Sequence, residues 1–318
     1  MFLLVLIGLI ISISFFEPGP TGKKSDYLAA IIDKHHKAES IHSPKIIFAG
    51  GSNLAFGIDS KAIENEFKLP VINMGLHASL GLSFILNELK YTIRQNDIVF
   101  LSPEYFIEND GMYDYKKNAA HFYPACRSYF NTNYFIEGKE YVENQQRKFK
   151  NIFAEYKQDE KGLAYDSTVY NRKAFNDYGD VINHLDKIKP AALTSYHTLS
   201  YTKWKGIPAI NKFNEFARSK NVRFFFLYPG YAASEYKKNL AAINGLQVDM
   251  AKYLQVAILN SPIEFVYADS LFFDTVYHLN KEGRQKRTLQ LMELFKKNTS
   301  VQLAFGQAKS GNQHAGNF

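Results

Sequence analysis

Cysteine is all but absent from this chain of 318 residues, where it occurs once, at position 126. A disulfide needs two thiols and a CxxC redox or metal pair needs two within one turn, so the chain can form neither internally. Cys126 stands in Pro124-Ala-Cys-Arg127 without a strand-turn-helix pattern around it, and reads as an ordinary unpaired thiol rather than a nucleophile. Clustered basic charge is missing as well. The net charge is +7, yet Lys and Arg are scattered along the chain and no nucleic-acid-binding motif accompanies them. That balance suits an anionic partner such as a membrane surface or an acidic polymer, and gives no reason to expect nucleic acid. The apolar run Met1 to Phe16 lacks a basic segment ahead of it and a small-x-small cleavage site behind it, and stops at Glu17-Pro-Gly-Pro20. A run of this length is slightly short for a comfortable span. It reads as an uncleaved membrane anchor over residues 1–20, with the remaining chain outside the cytoplasm in a periplasmic position.

What is present begins with enough apolar residues, 46% of the chain, to bury a full core in one generous domain carrying an insertion. Lys45-Ile-Ile-Phe-Ala-Gly-Gly-Ser-Asn53 reads as a short buried strand, Ile46 to Ala49, entering a glycine turn with Ser52 at its end and a helical pattern after it. Further strands are expected at Val71 to Gly75, from Asp97 towards Phe106, at Val222 to Leu227 and at Ile263 to Tyr267. Helical patterns fill Lys203 to Lys220, Ser234 to Leu259 and Arg284 to Lys297. Strands alternating with helices predict an α/β domain, a parallel sheet covered on both faces. Near the far end, Asp274-Thr-Val-Tyr-His-Leu-Asn280 sets a histidine just after an acid, in a loop before a helix. A serine hydroxyl is a poor nucleophile near neutral pH and needs a base, and the base needs an orienting acid. Ser52, His278 and Asp274 are those three parts. Each has a blander reading, since Gly-Gly-Ser turns are common and a lone histidine often caps or packs. Together, in this order on these elements, they are far more specific.

The order serine first, aspartate and histidine last, resembles the SGNH (GDSL-like) hydrolase superfamily over residues 45–106 and 203–297, nearest in flavour to its membrane-anchored DltD/AlgJ-like branch. The resemblance implies a three-layer α/β/α, flavodoxin-like domain over 45–297 with a five-stranded parallel sheet. It implies Ser52 as nucleophile, His278 as base, Asp274 as acid, and the backbone N–H groups of Ser52 and Gly75 as oxyanion donors. No cofactor and no metal are called for. The implied activity is that of a serine esterase or O-acyltransferase forming an acyl-enzyme on an extracytoplasmic cell-surface glycan, with a membrane-bound O-acyltransferase as possible partner. The alternative is a non-catalytic accessory protein that keeps the fold and holds a polymer or partner. Two departures stand out. Ser102-Pro-Glu-Tyr-Phe106 replaces the family's Gly-x-Asn-Asp block, and Asp274 lies four residues before His278, not three. Asp269, or a backbone carbonyl in a Ser-His dyad, is therefore an alternative orienting group. Asn53 suits either an oxyanion contact or a helix cap, and His77 reads as structural.

Three segments remain. Residues 21–44, with Leu28, Ile31 and Ile32 at helical spacing, read as a stalk helix, on which the adjacent His35 and His36 do not share a face for a metal. Residues 107–201 read as an insertion overhanging the nucleophile, a lid or cap in which Tyr170 to Asp180 resembles the lining of a sugar cleft, or else an ordinary solvated excursion. Residues 298–318, rich in Gly, Asn and Gln from Ala304 onward, read as a disordered tail.

Overall fold

The computed structural model describes residues 26–135, 138, 168–188, 192–194 and 198–315, so the apolar run over 1–20 lies outside the described residues. The chain divides into two units, residues 1–23 with 131–166 and residues 24–130 with 167–318. The second is the α/β domain. Its chain passes through α1 (Ala30–Ser40), β1 (Ile46–Gly50), α2 (Ser52–Ala55), α3 (Ser60–Phe67), β2 (Val71–Asn73), α4 (Leu82–Thr92), β3 (Ile98–Ser102) and α5 (Tyr113–Phe122). It continues through α6 (Gly206–Ser219), β4 (Arg223–Phe226), β5 (Tyr231–Ala232), α7 (Ala233–Lys238), α8 (Leu240–Tyr253), β6 (Ala257–Ile258), β7 (Val266–Tyr267), α9 (Lys281–Lys297) and α10 (Thr299–Ala315).

Five strands form one parallel sheet in the order β2-β1-β3-β4-β6, while β5 and β7 pair separately. The strands β1, β2 and β3 are buried along their whole length, as continuous apolar runs must be when helices cover both faces. Phe48, Phe100 and Phe225 pair across β1, β3 and β4. Their rings stack at 5.4 Å from one strand to the next, and Phe295 of α9 closes over Phe100 at 4.3 Å. The chain leaves β1 towards β2 on one side and returns to β3 on the other, so the direction of winding reverses between β1 and β3. In open α/β sheets ligands bind at the carboxyl ends of the strands at such a reversal.

The structure corrects four expectations. The sheet's fifth strand is Ala257–Ile258, not Ile263 to Tyr267. Pro262 opens a 3-10 turn over Pro262–Phe265, closed by a Ser261 and Glu264 capping box, which leaves only Val266 and Tyr267 extended, and these pair with β5. The helix expected over 234–259 breaks at Asn239, whose side chain accepts from the Leu199 N–H at 2.7 Å and donates to Glu235 O at 3.0 Å. The stalk is no stalk over its described part: Tyr27, Leu28, Ala30, Ile31, Lys34 and His35 are buried. Lys34 Nζ donates to Asn73 O at 2.7 Å and Gly179 O at 2.6 Å, and His35 meets Glu88 at 3.0 Å, tying α1 to the domain. The tail is helical through Ala315. Val301, Ala304, Phe305 and Ala308 sit at i, i+3, i+4 and i+7 and are all buried, so one apolar face decides the structure against a polar average.

Most buried apolar residues in the insertion's described parts, among them Ala119, Phe122, Tyr129, Val169, Ala174 and Val181, belong to a second buried cluster with Tyr27, Phe56, Phe84 and Phe273, whereas Ile107 belongs to the first. Residues 136–137 and 139–167 lie outside the described residues. Within Tyr170 to Asp180 most polar groups hold the fold. Arg172 pairs with Asp33 at 2.5 and 2.6 Å, Tyr178 donates to Glu64 at 3.0 Å, and the buried Asp180 accepts from Ser60, Asn73 and Arg284.

Candidate active site

Ser52 opens α2 immediately beyond β1, and two glycines make that turn possible. A Cβ on Gly50 would stand 2.2 Å from Ser102 O of the neighbouring strand, and one on Gly51 would stand 2.2 Å from Glu104 Oε2. The nucleophile turn is thus pressed against the end of β3. Asn53 anchors it from below. Its Nδ2 donates to Ser102 O at 2.9 Å, and the fully buried Arg287 of α9 donates to Asn53 O at 2.9 Å and to Asn53 Oδ1 at 3.2 Å. The Asn53 side chain is therefore a structural tie and takes neither the oxyanion nor the capping role.

His278 comes from the loop between β7 and α9. Thr275 Oγ1 accepts the N–H groups of Tyr277 at 3.3 Å and His278 at 3.2 Å, and Phe273 donates to His278 O at 2.7 Å. This tight turn folds the four-residue spacing back on itself. Asp274 Oδ1 consequently reaches His278 Nδ1 at 2.9 Å, and His278 Nε2 reaches Ser52 Oγ at 2.9 Å. Phe56 stacks on the imidazole with ring centres 3.9 Å apart and planes 7° from parallel, fixing its tilt. Burial alone would raise the Asp274 carboxyl, but the His278 hydrogen bond and charge, with the Tyr170 hydrogen bond, hold it below the usual aspartate value. It is the ionised partner that an imidazolium needs.

The structure thus brings together Ser52, His278 and Asp274 and selects among the alternatives. Asp269 instead accepts the Ser234 N–H at 3.1 Å. Gly75 is a correction: its N–H is donated to Asn73 Oδ1 at 2.9 Å and is not free for an oxyanion. Its glycine identity is still explained, because a Cβ there would stand 2.7 Å from Leu54 Cβ and 2.8 Å from Gly51 O, in the nucleophile turn itself. His77 Nδ1 accepts the Ser79 N–H at 3.1 Å and holds a turn; burial, then the neighbouring His278, lowers it to about 4.

Two residues at the site escape a reading by motif. The Tyr170 hydroxyl donates to Asp274 Oδ2 and lies 3.1 Å from His278 Nδ1, joining the insertion to the acid. Glu104 accepts the Asn53 N–H at 3.0 Å through Oε1, within the nucleophile turn. Strand register, not a sequence signal, places Glu104 there. Gly50 pairs with Ser102 across the sheet, so residues two beyond each strand, Ser52 and Glu104, emerge at the same level. A separate cleft of about 920 Å³, which no triad residue lines, lies between α1 and residues 172–179 and carries Lys34, Lys37, Arg172, Lys173 and Phe175 on its walls.

A doubly wound α/β domain with serine, histidine and aspartate in a hydrogen-bonded line at the reversal of its sheet has the arrangement of a Ser-His-Asp nucleophilic site. No family model matches the chain, and no curated protein matches it.

Proposed function

We propose that this chain is an SGNH-like serine esterase or O-acyltransferase that works through an acyl-enzyme on Ser52. The observation that carries the reading is the relay of 2.9 Å from Ser52 Oγ to His278 Nε2 and 2.9 Å from His278 Nδ1 to Asp274 Oδ1, closed by residues 226 apart in sequence. Ser52 Oγ attacks an ester carbonyl while its proton passes to Nε2. Asp274 holds the Nδ1 proton in place and stabilises the imidazolium that results, without itself taking the proton. The tetrahedral intermediate collapses, the departing alcohol takes the proton from Nε2, and the acyl group remains on Ser52. Water or an acceptor hydroxyl, deprotonated by His278, then releases it.

The substrate class proposed is an ester of a cell-surface glycan outside the cytoplasm, with a membrane-bound O-acyltransferase as partner. The net charge of +7 supports an anionic polymer. A purely accessory role gains no specific support from a site whose three groups are aligned for chemistry.

The deciding experiment is labelling with a fluorophosphonate probe beside hydrolysis of an acetyl ester. Ser52→Ala should abolish both while leaving the thermal midpoint close to wild type, because the half-exposed hydroxyl contributes little to the core. Equal labelling of the variant would remove Ser52 as nucleophile.

A further inference from the structure

We propose that Tyr170 is a positioning residue of the relay, whose hydroxyl fixes both the Asp274 carboxylate and the His278 tautomer with its proton on Nδ1. The inference rests on the esterase reading and deepens it, because it makes the insertion supply a fourth member of the site. An acid four residues before its histidine is fixed by the Thr275 turn only as far as its backbone. The carboxylate can still rotate about its side-chain bonds. Its side chain keeps 17% exposure, enough for solvent to compete for Oδ2. Two residues of the insertion close these routes. The Thr194 N–H donates to Asp274 O at 2.7 Å, and Thr194 forms a parallel bridge with Thr275. The Tyr170 hydroxyl donates to Asp274 Oδ2, which leaves Oδ1 to meet His278 Nδ1 at 2.9 Å.

A phenol has one proton to give, and here an ionised carboxylate, which only accepts, takes it. Towards His278 Nδ1, 3.1 Å away, the same oxygen therefore presents a lone pair. Nδ1 faces two acceptors, Asp274 Oδ1 and the phenol oxygen, and so carries the ring proton. Nε2 is left with its lone pair towards Ser52 Oγ at 2.9 Å, the form that a base needs. When Nε2 takes the serine proton, both acceptors stabilise the imidazolium. The Tyr170 O–H bond stays intact throughout. The segment around Tyr170 is itself anchored: Val169 before it is fully buried, and Asn171 after it forms an antiparallel bridge with Asp26. The Tyr170 ring lies 5.8 Å from that of Phe56 and 5.9 Å from that of Tyr27, and Phe56 also stacks on the imidazole. Packing thus depends on the ring and the relay on the hydroxyl, so removing one oxygen separates the two.

The test is a double-mutant cycle on the full chain, with kcat and KM for p-nitrophenyl acetate measured on wild type, Tyr170→Phe, Asp274→Asn and the double variant. Tyr170→Phe should lower kcat by about 10- to 10²-fold, the loss expected for a hydrogen bond to a charged group, with KM and the thermal midpoint close to wild type. The rate of fluorophosphonate labelling of Ser52 should fall with kcat, since both report attack by the same hydroxyl. In the Asp274→Asn background, Tyr170→Phe should cost nothing further, because the carboxylate that the phenol orients is gone. Wild-type kcat in Tyr170→Phe would overturn the proposal. So would an equal loss in the Asp274→Asn background, a loss that appears in KM alone, or a loss that tracks a collapse of the thermal midpoint. Absence of both turnover and probe labelling in wild type would instead defeat the esterase reading, and this proposal with it.

Discussion

At the scale of single residues, the orienting acid shows how a departure in spacing is absorbed. A turn knotted by Thr275 Oγ1 brings Asp274 to 2.9 Å from Nδ1 across the four-residue interval. Asp274 Oδ2 is meanwhile held by Tyr170, which leaves the carboxylate no freedom to rotate away. Asp274→Asn should therefore lower kcat by about 10⁴-fold with KM nearly unchanged, because the amide favours the wrong imidazole tautomer and cannot balance the imidazolium. Steady-state kinetics on the purified variant checks this, and unchanged turnover would mean that His278 works without its carboxylate. The triad was legible because all three residues sit at strand ends or in the loop before a helix, where local pattern alone places them. Tyr170, 108 residues from His278, and Glu104, 52 residues from Ser52, were not. Tyr170 reaches the site by tertiary folding that no local period encodes, and Glu104 by a strand register that a single sequence does not display.

At the scale of elements, burial decided what could be read. The strands β1 and β3 are mostly runs of consecutive apolar residues, and β4 carries Phe224 to Phe226 behind an exposed Arg223; all three were legible for that reason. The fifth strand is only two residues long, part exposed, and gives no such run. Element α10 misled in the other direction, because its Gly, Asn and Gln content masks four apolar residues on one face. Phe305 lies 4.7 Å from the ring of Phe67 and 6.0 Å from that of Phe295, at 2% exposure. Phe305→Ala should cost about 3–5 kcal/mol, the range for emptying an aromatic site in a packed core. Urea titration followed by circular dichroism measures it, and a shift of a few tenths would return α10 to the status of an appendage.

At the scale of the whole molecule, the α/β domain begins earlier than the composition of residues 21–44 suggests. A polar segment with three apolar residues at helical spacing has the look of a spacer, yet the turn before α1 closes one flank of the site. Tyr27 donates to Leu76 O at 2.9 Å, and its ring lies 5.9 Å from that of Tyr170, the residue that holds the acid. Lys34, buried and lowered to about 7 by that burial, bridges two backbone carbonyls on different segments, and a cation so placed cannot be removed without leaving both acceptors unsatisfied. Two truncations test this boundary and the anchor proposed for residues 1–20. Removing residues 1–20 should release a soluble protein from the membrane fraction, still labelled on Ser52 by the fluorophosphonate probe. Removing residues 1–44 should strip α1 from the domain, expose the apolar surface beneath Tyr27, Leu28 and Ile31, and give an aggregated or unlabelled product. A soluble full-length protein would end the anchor reading, and a shorter fragment as stable and as reactive as the longer one would show that α1 is a spacer after all.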